Sequence, residues 1–155
     1  MPEKDINELL VGDVFDILAG EPAVVNKNAI LKDAVEAITR NKTSWKVYVV
    51  DESNKLIGVI TIEILLRQVG YLVGVRETGM VSFFKFLTGV FKENVSDIME
   101  RPVRINKRHK ILEALHMMVE YHLNDLPIID DEERLIGELH SLEILKYTKK
   151  IFEEG

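Results

Sequence analysis

The chain contains no cysteine, which excludes a disulfide framework, a thiol nucleophile and a thiolate metal site. Histidine is scarce as well, and His109, His116 and His122 lack the i, i+4 spacing of helical metal ligands. The sequence also shows no phosphate loop, dinucleotide fingerprint or Ser-His-Asp arrangement. We therefore expect no catalytic activity, no metal and no required cofactor.

Positive charge is sparse and unclustered. The chain has 26 acidic against 20 basic residues and a formal net charge of −6, with no block of Lys and Arg to follow a phosphate backbone. This balance argues against nucleic acid as a partner. The charged start, residues 1–5, leads into no apolar core of signal-peptide length, so we expect a cytoplasmic protein.

What the chain does contain is an internal repeat. Residues 54–65 read NKLIGVITIEIL and residues 133–145 read ERLIGELHSLEIL. The offset is 80 residues from Pro22 and Pro102 onward, 79 residues across the shared Leu-Ile-Gly, and 80 again at Glu-Ile-Leu. In a chain of 155 residues with 46% apolar content, this pattern predicts two halves built from one supersecondary unit.

Each half carries the same predicted elements. In the first half they are a helix over 5–18, a short strand at 23–25, a helix over 30–41, a hairpin of 45–50 with 56–61, and a helix over 62–68. In the second half they are a short helix capped by Ser96 and Asp97, a short strand at 103–105, a helix over 109–121, a hairpin of 126–129 with 134–139, and a helix from 141.

The patterns YVVD with LIGVITIEILL, and PIID with LIGELHSLEIL, resemble a tandem pair of CBS domains, the module named after cystathionine β-synthase. The resemblance covers residues 11–68 and 95–148. It implies an α+β fold of two β-α-β-β-α repeats packed about a pseudo-two-fold axis. The expected division is a first repeat with an N-terminal helix (1–68), an inter-repeat segment (69–94) and a second repeat (95–155).

The resemblance also implies a function. Such pairs are regulatory modules that bind an adenosine-containing ligand in the inter-repeat cleft and signal to a partner protein. The ligands expected are AMP, ADP, ATP, S-adenosylmethionine, NAD or a dinucleotide. A homodimer and an unknown effector protein are the partners it suggests. The competing hypothesis is a structural dimerisation module without a bound ligand, and an enzyme ranks third.

The family's ligand positions map onto residues of both repeats. In the first they are Ala23, Val24, Lys46, Val47, Tyr48 and Thr61. In the second they are Val103, Arg104, Leu126, Pro127, His140, Ser141 and Glu143. A basic Lys46 and a hydroxyl at Thr61 suit phosphate, whereas Asp125, aligned with Lys46, repels it. The ribose carboxylate is expected three residues after Thr61, at Ile64, and Glu63 falls one residue early.

Structural roles compete with each of these assignments. Thr61 and Ser141 suit helix N-caps, and His140 suits a hydrogen-bonded core position. Pro127 is typical of a residue that ends an edge strand. The two repeated glycines, Gly58 and Gly137, suit close strand packing. Lys46 and Arg104 suit solvated surface charges.

The segment from 69 to 94 is unusually rich in glycine and phenylalanine. One helical face there carries Met80, Phe83, Phe84, Leu87 and Phe91. Charged residues interrupt any apolar run long enough to cross a membrane, so we expect no membrane partner. The face predicts a dimerisation surface, which we place first, a ligand-gated flap, or a cover over the core between the repeats.

Overall fold

The computed structural model describes residues 5–41, 44–75 and 88–154. A 3₁₀ turn at Ile6–Glu8 precedes the helices, which are α1 (Val11–Leu18), α2 (Leu31–Arg40), α3 (Ile62–Val75), α4 (Val95–Ile98), α5 (Ile111–Glu120) and α6 (Ser141–Glu154). The strands are β1 (Ala19–Gly20), β2 (Val24–Asn26), β3 (Lys46–Val50), β4 (Leu56–Thr61), β5 (Ile105–Asn106), β6 (Asp125–Ile129) and β7 (Leu135–His140). Both predicted hairpins are confirmed.

The chain divides into two compact units, Pro22–Pro102 and Met1–Glu21 together with Val103–Gly155. These units differ from the repeat boundaries expected from the sequence, because the N-terminal segment packs with the second copy. A connection between residues far apart in sequence leaves no local pattern, so periodicity alone does not reveal it.

The Pro22–Pro102 unit is built on a three-stranded sheet in the order β2-β3-β4. Strand β2 runs parallel to β3, and β3 pairs antiparallel with β4. Apolar residues of the strands and helices form its core, which burial of their side chains stabilises. The buried core members are Ala23, Leu31, Ala34, Ala37, Ile38, Val47, Val49, Ile60, Ile64, Val90 and Val95.

The other unit contains a four-stranded sheet in the order β1-β7-β6-β5. As in the first copy, one strand pair is parallel (β5–β6) and the next is antiparallel (β6–β7). Strand β1 from the N-terminal segment extends this sheet by pairing with β7. Its core is formed by Leu9, Val11, Val14, Leu18, Ile105, Ile111, Ala114, Met118, Leu126, Ile128, Leu139 and Ile144.

The helix that precedes each repeat packs on the other copy. The backbone N–H of Val11 in α1 donates to the carbonyl of His109 at 2.8 Å, and the N–H of Val95 in α4 donates to that of Ala29 at 3.0 Å. This packing of each preceding helix on the other copy also explains the repeated glycine of each hairpin. A Cβ at Gly58 would overlap the Met99 side chain, so this glycine serves close packing, as the structural alternative predicted.

Both hairpins use the same turn. The Asp51 carboxylate accepts hydrogen bonds from the backbone N–H groups of Ser53 and Lys55, and Asp130 does the same two and four residues further along its own turn. Each turn also places one non-glycine residue in the left-handed region, Asn54 at φ 63° and Glu133 at φ 65°. Asparagine tolerates that conformation better than glutamate does.

Two local predictions were wrong. The single helix expected over 5–18 is interrupted between the 3₁₀ turn and α1. Ser96 does not cap the short helix, because α4 begins at Val95 with Asn94 as N-cap, and the Ser96 hydroxyl donates to the Lys27 carbonyl at 2.5 Å. Within the described residues, no helix is both long and apolar enough to cross a membrane.

Candidate functional site

The structure brings the candidate residues of the first copy together on adjacent strands. In the ladder between β2 and β3, Val24 lies opposite Tyr48. In the ladder between β3 and β4, Lys46 lies opposite Thr61 at the end of the hairpin. The residues mapped from the sequence therefore share one end of a single sheet.

Strand β2 lies at the edge of its sheet and offers backbone groups there. The Tyr48 N–H donates to the Ala23 carbonyl at 2.9 Å, so the peptide groups of Ala23 face β3. Because peptide groups alternate in direction along a strand, the N–H and C=O of Val24 point away from β3. Val24 is exposed, whereas Val47 and Tyr48 are buried beneath it. One donor and one acceptor on an apolar edge suit the rim of a purine base.

Thr61 is the N-cap of α3, as the structural alternative predicted. Its hydroxyl oxygen accepts from the Ile64 N–H at 3.1 Å, which leaves the hydroxyl proton directed elsewhere. Lys46 lies beside it and is half-buried. A cation, a hydroxyl and the positive end of a 14-residue helix stand together here, and such a set favours an anion.

The second copy presents the same backbone with different side chains. Asp125 pairs with His140 at the end of its hairpin, as Lys46 pairs with Thr61 in the first copy. The backbone hydrogen bond that closes the hairpin is also equivalent: the Ile62 N–H donates to the Trp45 carbonyl at 3.2 Å in the first copy, and the Ser141 N–H donates to the Asn124 carbonyl at 2.9 Å in the second. Ser141 is the first residue of α6, and His140 takes the place that the capping threonine has in the first copy.

His140 lies in a buried cluster with two carboxylates. Its Nδ1 is 2.7 Å from Asp125 Oδ1, and its Nε2 is 3.4 Å from Glu138 Oε1. His140, Asp125 and Glu138 are 8%, 9% and 0% exposed. The hydrogen bond to Asp125 raises the pKa of His140 above its usual value, and the negative charges of Glu138, Asp125 and Glu143 add to this, although burial opposes it.

Glu138 was missed by the sequence reasoning. The available signal was its place in LIGELH, where the first copy has Val59 in LIGVIT, so a carboxylate replaces an apolar residue in a buried strand. Gly20 of β1 was missed as well. A Cβ on Gly20 would lie 2.7 Å from His140 Nε2, so the glycine makes room for the imidazole.

Pro127 was expected to end an edge strand, and this prediction was wrong. It lies within β6, which is flanked by β7 and β5, and it is buried. In the first copy the N–H at this position, that of Tyr48, bonds the carbonyl of Ala23. Proline has no N–H, so it donates nothing to the corresponding carbonyl of Val103, and β5 begins later than β2 does.

The other polar candidates of the second copy have partners within it. Arg104 is mostly buried and its guanidinium is 4.0 Å from Glu133. Glu143 is 3.3 Å from the ammonium group of Lys146. These contacts give both side chains a structural role beside the ligand role implied by the resemblance.

The starts of α3 and α6 agree with the 80-residue offset at Glu-Ile-Leu. Ile64 and Ile144 are both buried, so they occupy the same core-facing place. Glu63 and Glu143 each stand one residue before that isoleucine. Relative to the core, Glu63 therefore points in the same direction as Glu143, although it lies one residue nearer to its strand.

The expected dimerisation face falls mostly outside the described residues: Met80, Phe83, Phe84 and Leu87 lie there, and Phe91 is described and exposed. Among the residues with described positions, no group of three His, Asp or Glu side chains is arranged to hold a metal ion.

A sequence profile of the CBS domain matches residues 11–71 and again residues 95–150. The chain belongs to the CBS domain family. The two matches coincide with the two copies of the repeat, so the resemblance seen in the sequence is confirmed, and the α+β fold with it.

Solved structures agree with this membership. A CBS domain-containing protein from Thermotoga maritima is 29% identical, with a TM-score of 0.71 over 92% of this chain and 96% of that one. The CBS-pair protein CBSX2 in complex with AMP is 22% identical, with a TM-score of 0.69 over 92% and 98%. A CBS domain pair in complex with 5′-methylthioadenosine and S-adenosyl-L-methionine is 22% identical, with a TM-score of 0.62 over 87% and 98%.

An uncharacterised protein of Methanocaldococcus jannaschii is 24% identical over 163 residues, a region that covers 97% of this chain and 48% of the relative. The chain thus spans about half the length of this curated relative.

Proposed function

We propose that this CBS pair is a regulatory module that binds an adenosine-containing ligand and signals its occupancy to a partner protein. The observation that most directly supports this proposal is the pairing of Lys46 with Thr61 at the start of α3, next to the outward-facing peptide of Val24. These groups match the phosphate and the purine of one nucleotide. The complexes of similar CBS pairs with AMP and with S-adenosyl-L-methionine support this ligand class.

Signalling follows from differential affinity. A ligand shifts a conformational equilibrium only when it binds one conformation more tightly than the other. No reactive side chain is required for this role. The ligand acts by being held, and the partner responds to the conformation that the ligand favours.

A second candidate function is self-association without a ligand. Leu142, Leu145 and Phe152 of α6 are 60%, 60% and 85% exposed and fall within a narrow sector of the helix. Leu112 and Val119 form a similar exposed apolar pair on α5. Exposed apolar faces of this kind suit a protein interface and support a homodimer, which is compatible with ligand binding as well.

Thermal unfolding in the presence of AMP, ATP, NAD and S-adenosylmethionine separates the two candidates. A specific ligand at one hundred times its dissociation constant adds about 2.7 kcal/mol to the free energy of unfolding. We expect such stabilisation from at least one of these compounds. No stabilisation by any of them, together with a concentration-dependent dimer in analytical ultracentrifugation, favours the structural module instead.

Substitution of Lys46 by alanine tests whether the Lys46–Thr61 pair binds phosphate. We expect weaker binding of the phosphate-bearing ligands in calorimetric titration, because the cation beside Thr61 is removed. Lys32 is a matched control, since it is an exposed lysine on α2 of the same unit. Equal losses in the Lys46→Ala and Lys32→Ala variants contradict the assignment.

A further inference from the structure

Trp45 is the only tryptophan of the chain, and it is 74% exposed. It stands immediately before β3, where the backbone bends, so the alternation of a strand does not assign its side chain to the core face of the sheet. An indole is a large planar surface, and a tryptophan that is covered buries about 150–250 Å². An exposed indole is therefore well suited to a planar ligand group.

The backbone of Trp45 is held at the candidate ligand site. Its carbonyl accepts from the N–H of Ile62, the first residue of α3, at 3.2 Å. The next residue, Lys46, lies opposite Thr61, which caps the same helix. The indole is thus carried by a hydrogen-bonded position next to the pair proposed to bind phosphate, and all of these residues belong to the Pro22–Pro102 unit.

The groups that suit a nucleotide follow one another along β3. Val24, whose outward-facing peptide suits a purine, lies opposite Tyr48. Lys46, opposite Thr61, comes two residues before Tyr48, and Trp45 comes three residues before it. At about 3.3 Å per residue, the position of Trp45 is about 10 Å along the strand from the purine edge, and the phosphate position lies between the two. A planar surface is therefore available beyond the phosphate, on the side away from the purine.

The second copy lacks an aromatic side chain at the corresponding position. The hydrogen bond that closes its hairpin identifies that position as Asn124, whose carbonyl accepts from the N–H of Ser141 at 2.9 Å. The hairpin end is the same in both copies, and the indole belongs to the first copy alone.

We infer that the first copy takes a ligand with two planar groups: a purine at the Val24 edge and a second base that stacks on Trp45, with the phosphates between them. This inference rests on the proposed function and narrows the ligand to the dinucleotide class, of which NAD and the diadenosine polyphosphates are examples. Stacking on an aromatic side chain accepts any base, because every base has a π-face. A mononucleotide leaves the indole uncovered.

Calorimetric titration with two matched pairs of probes tests the second base. NAD is compared with ADP-ribose, which lacks the nicotinamide, and diadenosine tetraphosphate is compared with adenosine tetraphosphate, which lacks the second adenosine. We expect at least one two-base probe to bind about 5- to 150-fold more tightly than its one-base counterpart, a ratio that corresponds to about 1–3 kcal/mol for one stacked base. The intrinsic fluorescence of the single tryptophan should be quenched by that two-base probe and far less by its counterpart.

Substitutions at position 45 test the role of the indole. Trp45→Asn gives the first copy the residue of the second, and it is expected to abolish the preference for the two-base probe while the affinity for the one-base counterpart is unchanged. Trp45→Phe keeps an aromatic face and is expected to retain part of the preference. Leu66→Asn is the matched control, because Leu66 is an apolar residue, 65% exposed, on α3 of the same unit. Circular dichroism verifies that each variant is folded.

The outcomes separate this inference from the function beneath it. Failure of all four probes, and of AMP and S-adenosylmethionine, to bind the wild-type chain overturns the proposed function and this inference with it. Binding without a two-base advantage, or a Trp45→Asn variant that weakens both members of a pair alike, overturns the stacking alone. A preference that survives in Trp45→Asn, together with loss of a dimer in analytical ultracentrifugation, assigns Trp45 to a protein contact and also overturns the stacking. A preference that requires an aromatic residue at position 45 supports it.

Discussion

Replacement of His140 by leucine is the sharpest test of the buried cluster. Leucine removes the imidazole while it fills a similar volume, and Asp125 and Glu138 remain buried without their shared partner. Removal of one partner from a buried ion pair costs about 3–5 kcal/mol. A domain of ordinary stability has about 5–15 kcal/mol in total, so this loss is large. Urea denaturation followed by circular dichroism measures it at pH 7.

The pH dependence of stability provides a second signature of the same cluster. The pKa of His140 is raised in the folded state, so its contribution is fully present below the unfolded pKa of about 6.5 and is lost as the pH rises through the folded pKa. We expect the wild-type urea midpoint to fall from about pH 6.5 upward on this account. His140→Leu removes that part of the slope. His116→Leu, at an exposed histidine 3.6 Å from Glu120, is the control that retains it.

A double variant separates charge from packing. If buried carboxylate charge causes the loss, Asp125→Leu added to His140→Leu should recover at least about 1 kcal/mol, because apolar replacement of a buried pair is often neutral or stabilising. The reasoning is refuted if the two single losses add, or if the wild-type and His140→Leu chains show the same pH profile from pH 6 to 9.

Three further substitutions have expected effects on the urea midpoint. Gly58→Ala is expected to cost about 1–3 kcal/mol, because its methyl group overlaps Met99, and Met99→Ala in the same chain is expected to recover part of that loss. Glu133→Asn is expected to stabilise by roughly 0.5–1 kcal/mol, since φ is 65° there and asparagine tolerates the left-handed region. Thr61→Ala is expected to cost about 1 kcal/mol, because the Ile64 N–H loses its acceptor.

Each of these has a matched control. Gly70 has no atom within 4 Å of an added Cβ, so Gly70→Ala in the helix is expected to stabilise, in contrast to Gly58→Ala. Glu132→Asn places asparagine at the neighbouring turn residue, where φ is not positive and no backbone strain is relieved. Thr61→Ser keeps the capping oxygen. If a control variant changes the urea midpoint as much as its test variant does, the corresponding explanation is contradicted.

The sequence alone determined the parts of the fold that depend on local pattern. The repeated Leu-Ile-Gly, the apolar strands and the Asp-led turns predicted both hairpins, because alternation and turn residues act over a few positions. The cap at Thr61 was also among the predicted alternatives. The repeat itself revealed the family and the ends of the strands at which the candidate residues lie.

The tertiary structure decided what depends on distant pairing. That α1 packs with the second copy, that Gly20 stands against His140, and that Pro127 lies in an interior strand all involve segments separated by many residues. The same holds for the buried cluster: Asp125, Glu138 and His140 read individually as ordinary polar residues. Their shared burial arises only when β1, β6 and β7 form one sheet.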